Sequence, residues 1–280
     1  MKSQLLFENT QLFPHKFQFL CISMGTATHS GKGELTMPSV LLSCNGREAA
    51  EYCNGASEAD VMGAILALVQ DYLQVSGLNA PLRPAKVPSA IAASIANRQR
   101  AQLLLCLQSY QKKDTRGAEI CFHPGSEKSR RLAQLLEARL GTISPSGEVR
   151  LIPAPQLPDF RMARCPAVQL RPGCRDDHDD AQWMLQSTGV IAHAIAGAVA
   201  EWFELPLKSP FAEVQASVNA PGGCLALRSR PHSEGELLRP LPNGTKLTLL
   251  HREGEWQYVE LDDSCGYVMR KFLRLPAEKT

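Results

Sequence analysis

Four short apolar runs of strand length alternate with stretches whose apolar residues recur every three or four positions. That alternation limits what residues 39–205 can fold into. The runs are SVLLS (39–43), AQLLLCLQS (101–109), AEICF (118–122) and CPAVQL (165–170). After the first, Val61, Met62, Ile65, Leu66, Val69, Tyr72 and Leu73 follow a helical period, with Ser57 placed to cap the helix and Gly77 to end it. Leu132, Leu135, Leu136 and Leu140 mark another helix that stops at Gly141, and a final long helix is expected from about Asp179 to Phe203. Runs that are apolar throughout suit strands buried on both faces. The expected fold class is therefore α/β: a twisted, mostly parallel sheet covered by helices on both faces.

Beyond a proline-bearing linker at 206–215 the helical period is lost. CLALRSRP, TKLTLLHREGEWQYVEL and CGYVMRKFL read as short strands between Gly, Pro and Asn turns, which predicts a small β-barrel over 216–276. Residues 1–38 lack periodicity and read as an irregular N-terminal extension.

The formal net charge is +2, from 30 basic against 28 acidic side chains, without the basic excess of a nucleic-acid binder. No apolar run reaches the ~20 residues that span a bilayer. FQFLCISMGTA (17–27) is at most a degenerate export signal, interrupted upstream by Glu8, Asn9 and Pro14. Nine cysteines, an odd number with no CxxC pair, fit buried thiols in a reducing compartment better than a disulfide framework.

LALRSRP (225–231), LPNGTKLTLLHREGEWQYVEL and CGYVMRKFL together resemble the bacterial SH3-like domain, with Ala226, Arg230 and Tyr267 departing from its usual Asn, Gly and Trp. That resemblance implies a module that binds cell-wall peptides or polymers, or one that serves as a spacer.

The larger part resembles the zinc-dependent N-acetylmuramoyl-L-alanine amidases. FHPGSEKSRRLAQLLEARL (122–140) is similar to the family's strand-to-helix passage Y-Y-P-G-S-x-x-S-R-x-A. CPAVQLRPGCRDDHDDAQWM (165–184) is similar to A-P-A-V-L-V-E-x-G-Y-H-D-N-x-x-D-A-x-W-I. IAHAIAGAVAEWFELP matches the closing helix, and LSCNGREAAEYCNGASEADVM the first strand, loop and glutamate-bearing helix. The family holds a zinc ion with two histidines and a glutamate, and a second glutamate takes the proton from the metal-bound water.

Carried over by position, the glutamate ligand falls on Glu58. The histidines fall on Asn45 and Gln108, and the catalytic glutamate on Arg171. A glutamine amide is a poor zinc ligand, and an arginine beside a metal repels it and cannot act as a base. The resemblance thus implies a catalytically inactive homologue with no catalytic residue and Glu58 as a vestigial ligand. It would hold no cofactor and would engage peptidoglycan or a wall-processing protein, with Arg171 pairing with a carboxylate such as Glu58 across the old metal site. The cell wall or exterior is its implied location.

One alternative is an active zinc amidase with a rearranged site, drawing ligands from Cys44 and Cys106, or from His15 or His29. Another is an interaction or scaffold protein without wall affinity. The acidic run around His178 has a metal-binding composition, but at a helix start its aspartates are expected to act as caps.

Overall fold

A computed structural model of the chain describes residues 37–44, 50–83, 89–211, 214–262 and 264–275. In the first part, strands and helices follow in the order β1 (Val40–Cys44), α1 (Glu58–Val75), β2 (Leu82–Arg83), α2 (Ser89–Arg98), β3 (Leu103–Leu107), β4 (Ala118–Phe122), α3 (Glu127–Gly141), β5 (Val149–Pro153), α4 (Pro158–Met162), β6 (Ala167–Arg171), α5 (His178–Gln186) and α6 (Thr188–Trp202). The strands form one six-stranded sheet in the order β2-β1-β3-β6-β4-β5. Every pairing is parallel except that of β4 with β6.

Helices cover both faces. Side chains of α1, α3 and α6, among them Ile65, Leu66, Leu132, Leu136, Ile191 and Ile195, pack on Val40, Leu42, Leu105, Ile120 and Leu170. The other face, with Leu41, Leu104, Cys106, Cys121 and Ala167, meets Ala92, Ala93 and Ala96 of α2 and Phe160 of α4. Helix α1 begins where the sequence places it, because the Ser57 hydroxyl accepts from the Asp60 N–H. Gly77, at φ +91°, takes the left-handed turn that lets the chain leave the helix for β2. Ile65, Leu66, Val69 and Leu73 are fully buried, each contributing about 1.5–3 kcal/mol of apolar burial.

The single helix expected from Asp179 to Phe203 is two helices, α5 and α6, bent by 81°. Ser187 (φ −110°, ψ 26°) separates them. Its N–H closes α5 on the Trp183 carbonyl and its carbonyl opens α6 to the Ile191 N–H. Its hydroxyl donates to Glu253 of the later sheet. Among the described residues no single helix is long and apolar enough to cross a membrane; the bent pair has the length and composition, but most of it is buried.

The C-terminal strands are β7 (Val214–Val218), β8 (Cys224–Arg228), β9 (Leu237–Pro242), β10 (Lys246–Glu253), β11 (Trp256–Leu261), β12 (Ser264–Met269) and β13 (Leu273–Arg274), with a 3-10 turn at Arg270–Phe272. They pair antiparallel in the order β13-β7-β10-β11-β12-β8-β9. The expected barrel is not closed: among the described residues β9 and β13 share no ladder, and the hydrogen-bonded structure is an open sheet. Pro240 and Pro242 deprive β9 of donors for a second ladder, and β13 is only two residues long.

One face of this sheet buries Ala216, Leu225, Leu227, Leu247, Val259 and Val268 in a core of its own. The other turns Tyr258 and Tyr267, a register pair on β11 and β12, into the same core as α1 and α6. Tyr72 of α1 bonds His251 of β10 through its hydroxyl at 2.9 Å, and His193 of α6 meets the Tyr258 ring edge-on.

Candidate functional site

Glu58 is the first residue of α1, and its side chain is 2% exposed. A carboxylate here meets the positive end of the helix dipole. It also has specific partners. Oε1 accepts from the N–H and the hydroxyl of Ser109, each at 2.6 Å. Oε2 lies 3.7 Å from Nη1 of Arg175, whose side chain is 13% exposed. Arg175 is in turn held from several sides. Its Nη2 donates to Gln111 Oε1 at 2.6 Å, its N–H donates to the Tyr110 carbonyl, and its carbonyl accepts from Cys53. Burial, and then the Glu58 charge, push the Tyr52 phenol well above its usual pKa.

Gln108 follows β3, is half-buried, and donates its N–H to the Leu170 carbonyl at 3.1 Å. The residue that reaches Glu58 is the next one, Ser109. Nothing in the local sequence pattern singles out Ser109, Gln111 or Arg175, because all three come from loops remote in the chain from Glu58.

Arg171 does not close on Glu58. It stands opposite Glu119 in the β4–β6 ladder and pairs with that carboxylate at 3.0 Å, with Gln169 accepting at 3.2 Å. Glu119 also lies 3.5 Å from Arg150, which donates to the Tyr110 hydroxyl at 2.8 Å. The physical reason is strand parity. Arg171 shares its face with Ala167, and Glu119 shares its face with Cys121, so both project toward the side covered by α2 and α4. Helix α1, with Glu58, lies on the other side. The Arg171 Nε is buried and has no hydrogen-bond partner among the described residues.

The same parity separates the two cysteines expected as alternative ligands. Cys44 pairs in register with Leu107, whereas Cys106 pairs with Ser43. Cys44 therefore belongs to the α1 side of the core and Cys106 to the α2 side, and they cannot share one ion with Glu58. Asn45, His15 and His29 lie outside the described residues.

In the acidic run, Asp177 caps α5 by accepting from the Asp180 N–H at 2.9 Å. Asp180 does not cap. Its buried carboxylate accepts from the N–H groups of Gly117 and Cys174, both at 2.8 Å, tying two loops together. Burial raises its pKa, and those two bonds oppose the shift. Among the described residues no three His, Cys, Asp or Glu side chains are grouped to hold a metal ion. Among the described residues the donors that meet Glu58 include a serine hydroxyl, an amide N–H and a guanidinium, all of which suit a carboxylate.

No protein-family model and no curated protein sequence matches the chain. Solved structures do. The amidase AmiC2 of Nostoc punctiforme superposes with a TM-score of 0.53 at 18% identity, covering 60% of this chain and 97% of that one. The catalytic domain of CwlV, an N-acetylmuramoyl-L-alanine amidase from Bacillus (Paenibacillus) polymyxa var. colistinus, gives 0.54 at 16%, covering 61% and 100%. The amidase of Clostridium difficile 630 gives 0.53 at 14%, covering 60% and 98%. The chain thus contains the fold of the N-acetylmuramoyl-L-alanine amidases.

Proposed function

We propose that this chain is a catalytically inactive homologue of those amidases that binds peptidoglycan or a wall-processing partner without cleaving it. Residues 39–205 are the amidase-like part and residues 216–276 a bacterial SH3-like module. The observation that carries the reading is the state of Glu58, the one position where the family's zinc ligand is kept. One of its oxygens takes two hydrogen bonds from Ser109 and the other faces Arg175. A guanidinium beside the carboxylate supplies the positive charge that a metal would otherwise bring. Arg171, at the position of the catalytic base, is paired with Glu119, and a guanidinium cannot serve as a base. The described donors around Glu58 do not fit zinc, so no hydrolytic step is assigned to them.

The test is to incubate the purified chain with muropeptides and added zinc, measure released peptide by mass spectrometry, and determine bound metal by elemental analysis. No released peptide, no stoichiometric zinc and co-sedimentation with insoluble peptidoglycan are expected. Zinc-dependent peptide release would overturn the loss of activity. A chain that stays in the supernatant would favour a scaffold role without wall affinity.

A further inference from the structure

The side chains that hold the C-terminal sheet against the α/β layer are unusual for an interior. Helix α6 contributes His193, which is 9% exposed, and α1 contributes Tyr72. The sheet contributes His251 and Glu253 from β10, Tyr258 from β11 and Tyr267 from β12. His251 Nε2 and the Tyr72 hydroxyl are hydrogen-bonded at 2.9 Å. The His193 ring lies edge-on to Tyr72 and Tyr258, with ring centres 5.4 and 6.0 Å apart. Phe211, in the linker, closes the group by meeting His251 at 5.3 Å and Tyr72 at 5.8 Å.

Among the described residues neither imidazole has a carboxylate partner. His193 faces Tyr72 of α1, Arg139 of α3, His251 of β10 and Tyr258 of β11. His251 faces Tyr72, Phe211 and His193. Arg139 is paired with Glu201 at 2.9 Å and brings no negative charge to the rings. The acid of the cluster, Glu253, is engaged by Ser187 at 3.1 Å and Tyr267 at 3.2 Å. Cys265 and Glu260 act on Tyr72, and Cys265 also on Tyr258. Burial pushes both imidazoles well below their usual pKa, and the charge of His251 adds to the shift of His193. A proton placed on either ring meets no acid there, and the charge is costly to bury.

Each side of the joint keeps a core of its own. The C-terminal sheet packs Leu225, Leu227, Leu247, Val259 and Val268 on its far face, and the α/β layer covers both faces of its sheet. We propose that the joint is an acid-released latch: the C-terminal sheet is docked on α6 at neutral pH, and protonation of His193 and His251 frees it with both parts still folded. The face that carries Tyr258 and Tyr267, covered when docked, is then open to a partner. Glu253 works the other way, because burial raises its pKa and its contribution to docking fades as pH rises. Two histidines stand against one carboxyl group, so acidification from about pH 7 to about pH 4.5 should weaken docking by about tenfold to a hundredfold. The inference is independent of the reading of Glu58.

The experiment compares the full chain at those two pH values by small-angle X-ray scattering and by NMR of backbone amides. In acid the radius of gyration should rise and the signals of Gly189, His193, Tyr258 and Tyr267 should move. Those of Leu105, Ile120, Leu227 and Leu247, inside the separate cores, should stay in place. Two variants test the histidines. His193→Phe keeps the edge-on ring contacts, and His251→Gln keeps a hydrogen-bonding partner for the Tyr72 hydroxyl. Either one should cancel most of the acid response, and both together should reverse it, because Glu253 then acts alone. Three results would each overturn the proposal: no response in the wild type, an unchanged response in the double variant, or loss of all the folded signals at once in acid.

Discussion

Breaking the Glu58–Arg175 pair from one side leaves a charge in a place where water does not reach it. Arg175→Met is expected to destabilise the protein by about 3–5 kcal/mol, the usual cost of removing one partner of a buried ion pair. The double substitution Glu58→Gln with Arg175→Met should recover most of that loss, since neither charge then remains. Urea unfolding of wild type and the two variants tests this; a single variant within about 1 kcal/mol of wild type would mean the pair is screened like a surface bridge. The residue itself was legible in the sequence. Ser57 and Asp60 lie within three positions of Glu58, and a helix start is written locally. Its partners were not legible, because Ser109 is 51 positions away and meets Glu58 only through the packing of α1 on the sheet. Arg171 shows the same limit: its position in the chain pointed to the old site, but its face was set by strand parity.

Among the elements, the bend between α5 and α6 is the feature the apolar pattern concealed. The period runs on through Ser187 almost unbroken, so the sequence reads as one helix. The break becomes necessary only when β10 is in place. A Cβ on Gly189 would stand 2.5 Å from Nδ1 of His251, so that ring can approach only a glycine. Gly189→Ala should displace His251, break its bond to Tyr72 and cost about 1–3 kcal/mol, as overpacking does. At Gly63, in the middle of α1, an added methyl group would have nothing within 4 Å. Gly63→Ala should therefore stabilise by about 0.5–1 kcal/mol. Opposite shifts in melting temperature are expected from the same chemical change, and equal shifts would refute the assignment of Gly189 as a contact. Composition found four of the six strands of the first sheet and its mostly parallel character, but not β2, β5 or the one reversed pairing. That β4 runs against β6 while the other pairs are parallel is a matter of chain routing, which no local run encodes.

The α/β layer and the C-terminal sheet meet through a buried cluster that titrates. Burial raises the Glu253 pKa to about 7, against the hydrogen bonds from Ser187 and Tyr267. Burial lowers His193 and His251 to about 4, with the charges of His251 and Arg139 adding to the shift of His193. Glu253 binds its proton more tightly folded than unfolded, so its contribution is lost as pH rises from about 4.5 through 7. The histidines bind theirs less tightly, so their contribution is lost as pH falls from 6.5 through about 4. Stability should rise as pH climbs from about 4 toward 7 and then level off, since two histidines outweigh one carboxyl group, with Glu253→Gln steepening that rise. Denaturation midpoints across pH 4–9 decide it, and an unchanged slope between pH 4.5 and 7 in the variant would remove Glu253 from the account.

Helix α6 is apolar on every side, with one flank on the sheet and α1 and another under Tyr258, Tyr267 and His251. Synthesis delivers these parts in an unhelpful order. The helix leaves the ribosome before the strands that cover it exist, so a nascent chain holds a completed α/β layer with one apolar flank still bare. Such a surface invites aggregation or a chaperone until β10–β12 arrive.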